Sequence, residues 1–312
     1  MTDGVTRRGV LLGSLGLVLA GCGAGGYHGA ERALRIAAGE RGGLYLDFAK
    51  LLSTQLEAAE PRLHGAVQQT EGSLDNLSRL GDGRADLALV LADAAQAAGQ
   101  DLDLRAVGRV YENYLQLVVR ADSAVHSVRE LSGRVLSLGA PGSGAALFGD
   151  RVLRRLGLSA TVRHLPLAEA VQALEAGAID ALLWSGGVPT PSLAELDARV
   201  GVRLLHLADE GGVLNQLRSA HGSVYEQVTV PPGVYRAPSE VPTVGVANLL
   251  VCRASLSDDV AAAVVRVLAG RAAQLVPDQA LGTQFLDTRS LIGTTGLPLH
   301  PGAAKAYREL HG

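Results

Sequence analysis

The chain has 312 residues, 39 of them glycine, with 47% hydrophobic, 19% charged and only 4% aromatic residues. That length suits two lobes with cores of their own, and a mean hydropathy of +0.20 with so little charge argues against a disordered chain. A formal net charge of −3 without any Lys/Arg block argues against nucleic acid; the eight scattered histidines form no helix-spaced pair, so the sequence predicts neither a metal site nor a cofactor.

The N-terminus is read as an address. Arg7-Arg8 form a short basic region, Val10 to Ala20 an apolar one, and Leu19-Ala20-Gly21-Cys22 closes it. Eleven apolar residues are too few for a bilayer core, which needs about 20 in a helix, so residues 1–21 are expected to be a signal peptide. The Leu-Ala-Gly-Cys ending resembles a bacterial lipobox, which implies lipid modification of Cys22 and a membrane anchor. A simple cleaved signal with a chance cysteine is the alternative. Thr6 to Leu11 also resembles, loosely, a twin-arginine export motif, and residues 22–31 would follow as a tether. With Cys22 lipidated, Cys252 has no disulfide partner, and its apolar surroundings (Ala247 to Val251) predict a buried, inert thiol.

Folded structure is expected to begin with a strand at Leu34–Ala38, ended by Gly39-Glu40-Arg41-Gly42-Gly43. A helix follows from Leu44 to about Ala58, with Leu44, Phe48, Leu51, Leu52 and Leu56 on one face. Then come a strand (His64 to Gln69), the Thr70-Glu71-Gly72-Ser73 turn, a helix (Leu74 to Leu80) and a buried strand (Ala85 to Val90) ending near Asp93. Leu104 to Val119 reads as one long strand.

The syntax then repeats. Arg134 to Leu138 is a strand, 139–144 a glycine loop, Ala145 to Leu156 a helix and Thr161 to Leu165 a strand. A helix (Ala168 to Ala176) and a strand (Ile179 to Trp184) complete the unit. Gly83-Arg84-Ala85-Asp86-Leu87-Ala88-Leu89 and Gly177-Ala178-Ile179-Asp180-Ala181-Leu182-Leu183 occupy matching places, their aspartates 47 and 41 residues after Gly39 and Gly139. Two β-α-β-α-β units predict two α/β lobes with parallel sheets and glycine loops at their carboxyl edges, facing one cleft. Leu104–Val119 and Val244–Val251 are the two extended crossings. The predicted lobes are 32–115 plus 248–312, and 116–247, joined by the two extended connections that a hinge-closing binding protein needs.

The loop Leu138 to Ala145 joins a strand to a helix start, where free N–H groups and the helix dipole favour an anion. Ser143 is placed to cap the helix or to meet a ligand. The loop lacks the lysine of a phosphate-cradling loop, the acidic residue of a dinucleotide fingerprint and the G-x-S-x-G of a nucleophile elbow. No nucleophile–base pair stands out, and no enzymatic activity is predicted.

In order along the chain, Gly-Gly-Leu-Tyr (42–45), Glu-Gly-Ser-Leu-Asp-Asn-Leu (71–77), Gly-Arg-Ala-Asp-Leu-Ala-Leu (83–89) and Gly-Ala-Pro-Gly-Ser-Gly (139–144) resemble a TAXI-type solute receptor of TRAP transporters. So do Gly-Gly-Val-Pro-Thr-Pro-Ser-Leu (186–193), Val-Pro-Pro-Gly-Val-Tyr (230–235) and Leu-Pro-Leu-His-Pro-Gly-Ala-Ala (297–304). The resemblance implies a two-lobed fold of the type II periplasmic binding protein kind, with the ligand cleft between the lobes and two hinge connections. It also implies an extracytoplasmic receptor that binds a small organic acid or amino acid, glutamate-like or dicarboxylic, and hands it to membrane permease subunits. A lipoprotein that presents its solute to a sensor kinase is the alternative function, and an enzyme on the same fold a distant third. The chain departs from the family at Glu40-Arg41, where small residues are usual between the first glycines.

The candidate ligand-binding residues are Arg41, Gly43, Tyr45, Ser73, Asn76, Asp93, Gly142, Ser143, Gly144, Gly187, Val188 and Pro189. Each has a structural alternative. Arg41 is a carboxylate clamp or a partner for Glu40 or Asp47. Ser73 meets an anion or only caps its helix, with Asn76 solvated. Tyr45 and Trp184 belong to the cleft or to the core. Asp93 accepts from a ligand amine, as the family pattern implies, or caps the next helix. Gly186-Gly187 admits a ligand or makes a tight turn.

Overall fold

The computed structural model describes residues 26–208, 212–277 and 286–311. Residues 1–21, Cys22 and the start of the tether lie outside the described residues.

The first unit is β1 (Arg32–Ala37), α1 (Leu44–Ala59), β2 (Leu63–Gln68), α2 (Ser73–Gly81), β3 (Leu87–Leu91), α3 (Ala92–Leu102) and the long β4 (Leu104–Arg120). The second is β5 (Val135–Ser137), α4 (Gly144–Leu156), β6 (Thr161–Arg163), α5 (Leu167–Glu175), β7 (Ala181–Gly186), α6 (Pro191–Val200) and β8 (Val202–Leu205). The chain continues with α7 (Val213–His221), β9 (Tyr225–Val230), β10 (Val241–Arg253), α8 (Asp258–Gly270), α9 (Thr288–Leu291) and α10 (Pro301–His311).

The strands form one sheet, ordered β2-β1-β3-β10-β4-β7-β5-β6, with β8 added to β4 and β9 to β10. β1 runs parallel to β2 and β3, and β5 parallel to β6 and β7. Between these parallel blocks β10 and β4 lie antiparallel to each other, from Val244 opposite Leu115 to Arg253 opposite Leu104, with register shifts after Asn248 and after Leu250. The sheet therefore does not separate into two: the expected crossings pair with each other and join the blocks. Both faces are covered, so β3 is apolar at every position. Leu87 and Leu89 belong to the cluster with α1 and α8, whereas Ala88 and Val90 belong to a second cluster that reaches across to Phe148 and Leu183.

The repeated aspartates have one structural task each. Asp86 takes the backbone N–H of Arg35 on its side chain at 2.9 Å, and its own N–H donates to the Arg35 carbonyl at 2.8 Å. Asp180 does the same with Val135, at 2.8 Å both ways. Each aspartate thus locks the start of its strand to the neighbouring parallel strand, below the edge that carries the glycine loops. The motif is a β–β clamp in both units.

One sequence expectation needs correcting here. Asp93 does not end a strand but sits in the first turn of α3, because the apolar run stops at Leu91 and Ala92 already begins the helix. The hairpin partner β9 and the added strand β8 have no counterpart among the elements expected from the sequence. Their apolar patterns are too short to stand out from the loops around them.

Candidate ligand-binding cleft

The loops after β1, β2, β5 and β7 meet at one place, and a cavity of about 430 Å³, mouth included, lies between them. Gly39, Glu40, Gly43 and Tyr45 line it from the first loop, Glu71 and Ser73 from the second. Ser143, Gly144 and Ala145 line it from the third, and Trp184, Ser185 and Gly186 from the end of β7. Asn113 of β4 forms part of its wall.

Two helix starts open onto this cavity. Gly43 precedes α1 without a side-chain cap, so the first-turn amides of Leu44 and Tyr45 have no intrahelical acceptor. At α4 the first-turn residues Gly144 and Ala145 line the cavity, while the Ser143 Oγ accepts from the Ala146 N–H at 3.1 Å. Ser143 is therefore the helix cap. The third start is closed off: the Gly142 carbonyl accepts from the amides of Leu74 and Asp75, at 2.9 and 3.2 Å. The N-terminus of α2 is satisfied by the facing loop and offers no free amides there.

What α2 contributes is a side chain. Ser73, 1% exposed, accepts from the Leu91 N–H at 3.0 Å and lies 3.5 Å from the Tyr45 hydroxyl. Burial pushes the Tyr45 phenol far above its ordinary value, so it remains a neutral donor. The facing loops approach so closely that glycine is required. A Cβ on Gly144 would stand 2.4 Å from a Leu91 methyl and 3.0 Å from the Ser73 Oγ, and one on Gly142 would stand 2.8 Å from a Glu71 oxygen.

The charged groups at the cavity are acidic. Glu40 accepts from the Leu167 N–H at the start of α5, at 2.8 Å, and Glu71 from the Gly142 N–H at 3.0 Å. Burial pushes the Glu40 carboxyl up; the Leu167 amide opposes this, and the charges of Glu71 and Glu169 add to it. Arg41 is absent from the lining; its Nε donates to Gln69 at 3.0 Å, so it pairs with neither Glu40 nor Asp47.

The other sequence candidates sit as follows. Asn76 is fully buried and holds Thr70 and the carbonyls of Ala38 and Leu89 at 2.6 Å each, which fixes the two loop bases. Asp93 is buried below the cleft, taking Arg151 at 2.9 Å, the Tyr225 hydroxyl at 2.7 Å and the Ala94 N–H at 2.9 Å. It joins α3 to α4 and β9 and does not line the cavity. Gly187 and Pro189 line a neighbouring depression on the far side of Trp184, and Val188 is buried in the core. That segment is held by Thr190, which accepts from Trp184 Nε1 at 3.0 Å and donates to the Gly187 carbonyl at 2.7 Å. Gln116 adds a bond to the same carbonyl at 3.1 Å.

Sequence reasoning passes over Glu71, Asn113 and Ser185 as site residues. Asn113 and Gln116 are visible as polar interruptions of an apolar strand, which is the signal that could have drawn attention to them. Among the described residues no group of His, Cys, Asp and Glu could hold a metal ion, and no helix is long and apolar enough to cross a membrane.

Two parallel blocks joined by a pair of long antiparallel strands, with a cleft lined by loops from the strands' carboxyl ends, define the type II periplasmic solute-binding fold. The chain belongs to the NMT1-like family, whose model matches residues 36–310. Among solved structures it resembles the alkanesulfonate-binding protein SsuA from Xanthomonas axonopodis pv. citri, bound to MOPS, at 20% identity over 90% of this chain and 84% of that one, with a TM-score of 0.51. A protein from Bordetella bronchiseptica RB50 superposes with a TM-score of 0.58 at 15% identity, over 90% of this chain and 98% of that one. At such identities the likeness is one of fold.

Proposed function

We propose that the protein is the extracytoplasmic solute receptor of a TAXI-type TRAP transporter. It captures a small organic acid or amino acid and delivers it to membrane permease subunits, tethered by a lipid on Cys22. The observation that carries this reading is the cleft itself. The uncapped first turn of α1 and the residues Gly144 and Ala145 of α4 face one small cavity from opposite loops, with the Ser73 and Tyr45 hydroxyls between them. Such amides and partial positive charges suit a carboxylate without a basic side chain. The ligand undergoes no chemistry in this reading.

A thermal-denaturation panel of carboxylates and amino acids on the full-length chain tests it. A ligand at 100 times its dissociation constant adds roughly 2.7 kcal/mol, a shift such a panel resolves. If none of the compounds moves the midpoint, solute capture of this class is wrong. The anchor has its own test: Cys22→Ser should abolish lipid labelling and release the protein from the membrane fraction, because stable anchoring needs more than one acyl chain's worth of hydrophobic burial.

A further inference from the structure

The cleft has an electrostatic character that a plain carboxylate ligand does not explain. Its lining contains two carboxylates, Glu40 and Glu71, and no basic side chain. Each gives one oxygen, Oε2, to a backbone N–H of the facing segment, Leu167 for Glu40 and Gly142 for Glu71. Among the described residues, the second oxygen of each takes no hydrogen bond. Glu40 and Glu71 also repel each other, and burial deprives Glu40 of the water that would offset this.

A second, independent feature points the same way. Asn113 is 3% exposed and lines the cavity; its Nδ2 donates to Ser185 Oγ at 3.0 Å, while its Oδ1 has no partner. A buried acceptor without a donor is costly, and such a group is matched when the ligand brings the donor. Three lining residues, the half-buried Glu40, the buried Asn113 and Glu71 at the exposed rim, therefore keep acceptor capacity beside a space whose fixed positive potential comes from helix starts. A dicarboxylate would place a second negative charge against the half-buried Glu40 and against Glu71 at the exposed rim, and like charges repel. A solute with N–H donors and positive charge would answer all three acceptors at once.

Resting on the solute-capture reading, we infer that the ligand is a basic amino acid: its carboxylate meets the amides of α1 and α4, and its two cationic groups are held by Glu40, Glu71 and Asn113. Glu40 and Glu71 are then the residues that set specificity.

Isothermal titration on the full-length chain, with L-arginine, L-ornithine, the neutral isostere L-citrulline, L-glutamate and succinate, tests this. The expected result is that L-arginine or L-ornithine binds at least tenfold more tightly than the other three. Glu40→Gln keeps an acceptor for the Leu167 amide but removes the charge. It should lower affinity for the basic amino acid at least tenfold. Glu71→Gln gives the same readout should Glu40→Gln fail to fold. Tighter binding of L-glutamate or succinate, or unchanged affinity for the basic amino acid in both variants, overturns the assignment and leaves solute capture standing. If nothing in the panel binds, both readings fall together.

Discussion

At the scale of single residues, neighbouring positions in the loop before α4 do different work. The Ser143 hydroxyl is engaged in capping α4 through the Ala146 N–H, so Ser143→Ala should cost about 1 kcal/mol of stability and change ligand affinity little. Urea denaturation beside a titration separates the two effects. Gly144 has no comparable hydrogen bond to lose; its role is to have no Cβ, because Leu91 and Ser73 stand where one would go. Gly144→Val should force the facing loops apart and lower affinity more than tenfold. A Gly144→Val protein that binds like the parent would show that the ligand does not sit between these loops. Arg41 and Asp93, plausible ligand groups by residue type, are directed elsewhere, to Gln69 and to Arg151.

At the scale of elements, the clamp aspartates carry the argument. Burial works against ionisation of Asp86, but the hydrogen bonds and charges of Arg35 and Arg32 more than offset it, and the carboxyl lies below its ordinary value. A depressed native value stabilises the fold above the unfolded-state value and is lost as pH falls through the native one. The stability difference between the parent and Asp86→Asn should therefore be constant above about pH 4 and shrink below it, which denaturation at a series of pH values would reveal. A difference that grows on acidification would contradict the ionised clamp. Asp180 occupies the same place in the second block, so Asp180→Ala should destabilise by a similar amount, about 1–2 kcal/mol for a charged acceptor lost from a backbone N–H.

At the scale of the whole molecule, the structure is closed on itself. Gly142 meets the start of α2, Glu71 meets Gly142 and Glu40 meets α5, all across the cleft. We expect a solute to enter by parting these contacts, with lobes 32–115 plus 248–312 and 116–247 turning about β4 and β10. Small-angle scattering should then give a smaller radius of gyration for the ligand-saturated protein than for the free one. Equal radii would mean that the cleft does not open. The buried Asp93–Arg151–Tyr225 cluster lies between α3, α4 and β9, near the joining strands, and would sit close to any such axis.

The repeat of strand, glycine loop and helix, the two aspartates at matching offsets and the long apolar crossings are legible in the sequence by itself. They are set by local rules: periodicity, turn chemistry and the limits on parallel connections. Gly43, Tyr45, Ser73, Ser143 and Gly144 are reached by the same route, since loops at the carboxyl ends of parallel strands must share one edge. Only the tertiary structure decides the rest. Whether a helix start is free or capped depends on which carbonyl lies opposite, and α2 meets Gly142, 68 residues further along the chain. Whether a carboxylate faces a cavity, an arginine or solvent depends equally on partners distant in sequence. Glu40 and Glu71 thus become an acidic wall through packing, whereas Arg41, one residue from Glu40, points out of the cleft.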